Sequence, residues 1–223
     1  MKLNLGPVHS LILSCLLITI ELFQAFGAPV GDINNSIKKP CKVPVNITTE
    51  NKKTSKDTIS YLLVLVNEAN SLARTSKLEM TQAIGSYNMT MDLDRYNYFN
   101  IVNAEEIKVG LDIKKSLGQL FKSNFRNFSE LVIYTDLAAD DAAANHAVKI
   151  KDVLEKLKDI LCWLQIGTLS QGESLTHYLN TSINNKNNSS PEEILFRNYI
   201  IIRDVGKNLE QFSLLYKYIK DTL

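Results

Sequence analysis

From Ile59 to Tyr87, small and apolar residues step by three and four: Ile59, Leu62, Val66, Ala69, Ala73, Ser76, Met80, Ala83 and Tyr87. That spacing keeps one face of a helix apolar over many turns, whereas a strand would need a period of two. It predicts helix A over about 55–87. Asn103 followed by Glu106 then offers an amino-terminal cap. Ile107, Leu111, Leu117, Leu120, Phe121, Phe128 and Leu131 form a looser stripe, interrupted by Gly110 and Gly118, for helix B over about 104–133. Thr135 and Asp136 offer a cap for helix C, about 136–166, whose stripe of Ile150, Val153, Leu157, Leu161 and Leu164 leads to Gly167 as a carboxyl-terminal stop. The sharpest local signal is "SPEE", Ser190 to Glu193: a capping serine, proline at the first helical position and glutamate three residues after the cap. It opens helix D, about 190–222, with Ile202, Val205, Leu209, Phe212, Tyr216, Ile219 and Leu223 as its buried face.

Connection lengths constrain how four such rods are arranged. A helix of about 30 residues is roughly 45 Å long, so joining two in parallel takes about 13 or more extended residues. The A-to-B loop, which contains "NMTMDLDRYNYFNIV", has about 15 residues and the C-to-D loop about 22, while B and C are separated by only a few. Long, short, long predicts an all-α, up-up-down-down four-helix bundle over 55–223 with two long crossover loops.

The amino terminus carries a different message. Lys2, an apolar run from Val8 to Ile20 and the small-x-small step Ala25-Phe26-Gly27 read as a secretory signal peptide over 1–27. The apolar run is short against the roughly 20 residues of a membrane span, and Glu21 closes it; the alternative is a retained signal anchor. Residues 28–54, rich in Lys, Asn, Thr and Pro, read as an extended arm. Cleavage removes Cys15 and leaves Cys41 and Cys162, which in an oxidising compartment suggest one disulfide, the alternative being two unpaired thiols. Asn34, Asn46, Asn88, Asn127, Asn180, Asn187 and Asn188 each begin an Asn-x-Ser/Thr triplet, as expected of a secreted glycoprotein. With 25 basic and 24 acidic side chains the net charge is +1, so neither a nucleic-acid partner nor membrane binding is implied.

Catalytic patterns are missing from the sequence. His146 and His177 have no second ligand at metal-binding spacing, and no phosphate loop, nucleophile elbow or zinc-protease motif occurs. The acids of "DLAADDAAAN" lack the pattern of a calcium loop and suit the positive end of a helix C dipole. The expectation is therefore a non-enzyme with no metal and no cofactor, acting through its surface. On helix A, Asn67, Asn70 and Arg74 lie opposite the stripe; on helix C, Glu155, Lys158 and Asp159 project away from it. The plainer reading of both groups is a solvated face. Phe196 falls outside the helix D stripe, as either a loop-covering core residue or an exposed binding anchor. Trp163, just past the helix C stripe, is expected to pack under the loops.

Three segments carry a family resemblance: "KKPC", Lys38 to Cys41; "DVLEKLKDILCWL", Asp152 to Leu164; and "LFRNYIIIRDVGKNLEQFSLLYKYI", Leu195 to Ile219. Through them the chain resembles the interleukin-6 family of long-chain helical cytokines, and within it the leukaemia inhibitory factor branch, which includes oncostatin M and ciliary neurotrophic factor. The resemblance implies a Cys41–Cys162 bond tying the arm to helix C, and a monomeric secreted ligand that bridges two receptor chains to trigger kinase and STAT signalling. A glycoprotein 130-type transducer would bind the A/C face, with Asn67, Asn70, Arg74, Glu155 and Asp159. A leukaemia inhibitory factor receptor-like chain would bind the start of helix D, at Phe196 with Arg197, Asn198 and Tyr199. Two departures stand out: Tyr199 occupies the place of a lysine typical of the branch, and several of its other cysteines have no counterpart. The alternative, from a different class, is a secreted helical carrier of a hydrophobic ligand. It would need an internal cavity where the Leu, Ile and Val stripes predict a filled core.

Overall fold

A computed structural model describes residues 37–41, 54–85, 97–110, 112–175 and 190–223. Among these residues it is all-helical, with five helices: α1 Ser55–Gly85, α2 Ala104–Gly110, α3 Ile113–Asp141, α4 Ala144–Ser170 and α5 Pro191–Thr222. The expected signal peptide 1–27, most of the expected arm 28–54, Tyr87, Leu111, His177 and the sequons at Asn34, Asn46, Asn88, Asn180, Asn187 and Asn188 lie outside the described residues.

Helix α1 follows its stripe, burying Ile59, Leu62, Val66, Ala69, Ala73, Ser76 and Met80, with Ile84 rather than Ala83 closing the series. The predicted helix B is two helices. Asn103 does cap, accepting from the backbone N–H of Glu105 at 3.1 Å and Glu106 at 3.4 Å, but the helix it caps is α2, which ends at Gly110. Helix α3 then continues past 133 to Asp141. Thr135 caps nothing: it is buried inside α3, and its hydroxyl donates to the Leu131 carbonyl at 2.7 Å.

Helix C accordingly starts later, at Ala144, and the acids Asp136, Asp140 and Asp141 close α3 instead of opening α4. That is the unfavourable end of the helix dipole. Arg197 of α5 compensates by binding Asp141 at 2.7 Å. The Asp140 carboxyl is raised above the usual carboxylate range by desolvation and by Asp141, while Lys151 and Lys158 pull it the other way.

Gly167 is not a stop either, since α4 runs on to Ser170. A Cβ at Gly167 would sit 2.9 Å from the Phe121 ring, so the glycine lets an α3 aromatic press against the α4 backbone. The helix is closed instead by Gly172, two residues past its last turn, whose φ of 77° is left-handed. There the Gly172 N–H bonds the Leu169 carbonyl at 3.0 Å and the Glu173 N–H bonds that of Thr168 at 3.2 Å, which is a Schellman cap.

Helix α5 opens as its sequence predicts. Glu193 N–H donates to Ser190 Oγ at 3.2 Å, and Ser190 N–H to Glu193 Oε2 at 2.8 Å, completing a capping box. Its stripe is buried through Ile219, whereas Leu223 is exposed.

Side-chain pairs fix how the helices lie together. Helix α1 runs against α4, with Glu79 joined to Lys149, Glu68 to Lys156 at 2.7 Å, and Ser55 to Gln171 at 3.1 Å. It also runs against α5, with Asn67 accepting from Ser213 at 2.7 Å and Arg74 bound to Glu210 at 2.8 Å. Helix α3 lies against α4 across the Ala142–Ala143 turn, and against α5 from Asn124–Tyr216 to Asp141–Arg197. Phe121, Phe128, Phe212 and Tyr216 fill the centre, with the Phe128 and Phe212 rings 4.4 Å apart.

Candidate functional site

On the face shared by α1 and α4, Tyr61 lies flat on Trp163, ring centroids 4.5 Å apart and planes 5° apart. Both residues are off their helices' stripes, and Tyr61 stays 49% exposed. Immediately before Trp163, Cys162 is bonded to Cys41, with Cα atoms 4.7 Å apart. The bond holds the 37–41 segment on the bundle, where Ile37 joins the core and Pro40 is buried. Exposed Val64 follows Tyr61 by one helical turn, and the Glu68–Lys156 pair comes one turn further on. The hydrogen bond that Lys156 donates to the Glu68 carboxylate holds its ammonium above its ordinary pKa.

Two expectations about this face need correction. Among the described residues Trp163 is seen crossing from α4 to stack on α1, where packing under loops was expected. Asn67, Asn70 and Arg74 do not share a surface with Glu155 and Asp159, because they point to α5. Asn67 and Arg74 bond Ser213 and Glu210, and Asn70 Oδ1 is buried without a hydrogen-bond partner, near the position a Cβ would take at Gly206. Helix α1 is flanked on both sides, so polar residues beside its stripe divide between two seams at 100° per residue. Among the α1 side chains that do reach α4 are Tyr61, Glu68 and Glu79. Glu155 is exposed on α4 beside Lys158, at 3.0 Å, and Asp159 lies close enough to Lys156 to favour its charge.

At the start of α5 the two readings of Phe196 separate: the ring is only 7% exposed, so it packs rather than projects. Asn198 is also buried, its amide donating to the Ala138 carbonyl at 3.1 Å. Arg197 and Tyr199 are partly exposed, Arg197 through its bond to Asp141 and Tyr199 against the core. Beside them a cleft of about 190 Å³ is lined by Met80, Ala83, Pro191, Ile194 and Leu195, with His146 among its polar residues.

The outer face of α5 holds an arrangement that periodicity missed. The backbone N–H of Tyr98 donates to Asp204 Oδ2 at 2.7 Å, that of Val102 to Asn208 Oδ1 at 3.0 Å and that of Ala104 to Gln211 Oε1 at 3.2 Å. Spaced by four and three, these side chains form one row that clasps residues 98–104. Arg203 and Asp204 pair at 2.7 Å while almost wholly buried, and Arg203 also reaches Asn97 at 3.4 Å. The available signal was the charged pair itself, set directly after the run Ile200–Ile202.

Among the described residues no group of His, Cys, Asp or Glu is placed to hold a metal ion. No helix there is long and apolar enough to cross a membrane. The class defined by this geometry is an all-helical protein whose described cysteines form a disulfide between an amino-terminal segment and α4. No protein-family model matches the chain, and neither a curated protein nor a solved structure matches it.

Proposed function

We propose that the chain is a secreted cytokine of the interleukin-6 type that bridges two receptor chains, a glycoprotein 130-like transducer and a leukaemia inhibitory factor receptor-like partner. The observation that carries this reading is the Tyr61–Trp163 stack on the α1/α4 face, in which Tyr61 is exposed and Trp163 rests partly buried against the core. Tyrosine and tryptophan side chains dominate the energetics of protein interfaces, and a disulfide holds this pair's surroundings in place. The transducer surface is Tyr61, Trp163, Glu155 and Asp159, with Asn67, Asn70 and Arg74 bracing α1 against α5. The second surface is Arg197 and Tyr199, supported from beneath by Phe196 and Asn198.

An up-up-down-down topology belongs to the same reading. In its favour, the contacts described above set α1 and α3 each against both α4 and α5. Bulky aromatics occupy the centre where a carrier would hold its ligand, which favours the cytokine over the carrier. The test is a binding panel of cytokine-receptor ectodomains. Micromolar or tighter binding to a transducer-type chain, weakened by Tyr61→Ala, is expected; co-purified lipid and no receptor binding would favour the carrier.

A further inference from the structure

The sequon Asn127-Phe128-Ser129 lies in the interior of α3, and it is the one among the described residues. In a helix, residues two apart face away from each other. Asn127 is accordingly half-exposed, whereas Ser129 is buried, its hydroxyl donating to the Phe125 carbonyl at 2.7 Å. An enzyme that must engage the asparagine amide and the serine hydroxyl together cannot do so on this helix.

Asn127 also lines a cleft of about 310 Å³ between α3 and the end of the first crossover, with Phe99, Asn100, Ile101, Arg126 and Glu130 among its other residues. That is at the low end of pockets that take small ligands, roughly 300–1,000 Å³. Its lining mixes an aromatic ring with amide, guanidinium and carboxylate groups, the mixture that receives a sugar's apolar face and its hydroxyls.

We infer that Asn127 is glycosylated before α3 forms, and that the first sugar of its glycan then seats in this cleft, bracing residues 99–102 against α3. The inference rests on the secretory reading above. In the transfer, the bond from the sugar's anomeric carbon to a polyprenyl-diphosphate oxygen breaks and a bond from that carbon to Asn127 Nδ2 forms. The amide gives up one proton, and the polyprenyl diphosphate leaves with the bonding electron pair. Occupant and cleft are covalently tethered, so the local sugar concentration is high however weak each contact is.

The experiment uses full-length protein secreted from animal cells, with three readouts. Glycopeptide mass spectrometry is expected to find sugar on Asn127. Peptide N-glycosidase is expected to release it at least tenfold more slowly from native than from denatured protein. Amide hydrogen exchange at 99–102 is expected to be at least threefold slower in the glycosylated protein than in Asn127→Gln, a half-exposed substitution, and slower than in enzymatically deglycosylated wild type. Equal release from native and denatured chains, or unchanged exchange, would place the sugar in solvent and overturn the inference. A bare Asn127 also overturns it: if the other sequons of that preparation carry sugar the secretory reading stands, and if none does that reading falls as well.

Discussion

Tyr61 and Trp163 come from helices whose cores are otherwise aliphatic where they meet, and they stack face to face within one residue of the Cys41–Cys162 bond. An exposed tyrosine ring held in this way on a partly buried tryptophan has lost its conformational freedom before any partner arrives, which lowers the cost of binding. Removing one ring should therefore affect binding more than folding. Tyr61→Ala is expected to weaken transducer binding by about 2 kcal/mol, roughly 30-fold, and to lower stability by only about 0.5–1.5 kcal/mol through loss of the stack. Surface plasmon resonance and urea denaturation on the same preparation separate the two effects.

The disulfide spans 121 residues of sequence. In the chain-entropy account, closing a loop of that size stabilises by about 4–5 kcal/mol. Cys41→Ser with Cys162→Ser is expected to shift the urea midpoint accordingly, and mild reduction of the wild-type chain should reproduce the shift. Hydrogen exchange should show the change first at Ile37 and near Trp163.

Burial pushes the Tyr216 phenol far above its ordinary value, and the bond from Asn124 draws it only slightly back. An unfolded tyrosine ionises near pH 10. Above that pH the unfolded chain binds fewer protons than the folded one, so this group's contribution is complete below about pH 10 and is lost as pH rises. The expected loss approaches 1.4 kcal/mol per pH unit for this group. Tyr216→Phe should flatten that alkaline slope while costing about 1–3 kcal/mol at neutral pH, since the buried Asn124 amide then lacks its 3.0 Å partner.

Asp204 binds both Arg203 and the Tyr98 N–H. Asp204→Ala removes one partner of a buried ion pair together with the acceptor of the Tyr98 N–H, and a cost of about 3–5 kcal/mol is expected. The Tyr98 amide should lose exchange protection more than the amides of α5 itself. If both change equally, the row on α5 does not hold residues 98–104.

The elements with strong local chemistry were legible in the sequence. The "SPEE" cap and the α1 stripe appear where periodicity and capping put them, because both depend on neighbours within a few residues. The boundary between helices B and C was misplaced because Thr135 and Asp136 have cap-forming side chains, yet Thr135 satisfies its hydroxyl inside α3. Gly167 looked like an ending because its tertiary neighbour, Phe121, lies far away in sequence. The same limit explains the surface. Asn67 and Arg74 project from α1 as expected, but only the packing of α5 shows that they are interhelical bonds. Trp163 stood out as an aromatic just past its stripe, but Tyr61 did not, and nothing in a one-dimensional pattern joins residues a hundred positions apart.

The most direct test of the receptor-bridging proposal is mass measurement by light scattering of the purified protein mixed with soluble ectodomains of a glycoprotein 130-type transducer and a leukaemia inhibitory factor receptor-type chain. The account predicts one assembly containing all three chains, reduced to the protein and the second receptor alone by Tyr61→Ala and lost altogether by combining it with Tyr199→Ala. A protein that stays at its own mass in the presence of both ectodomains would contradict it.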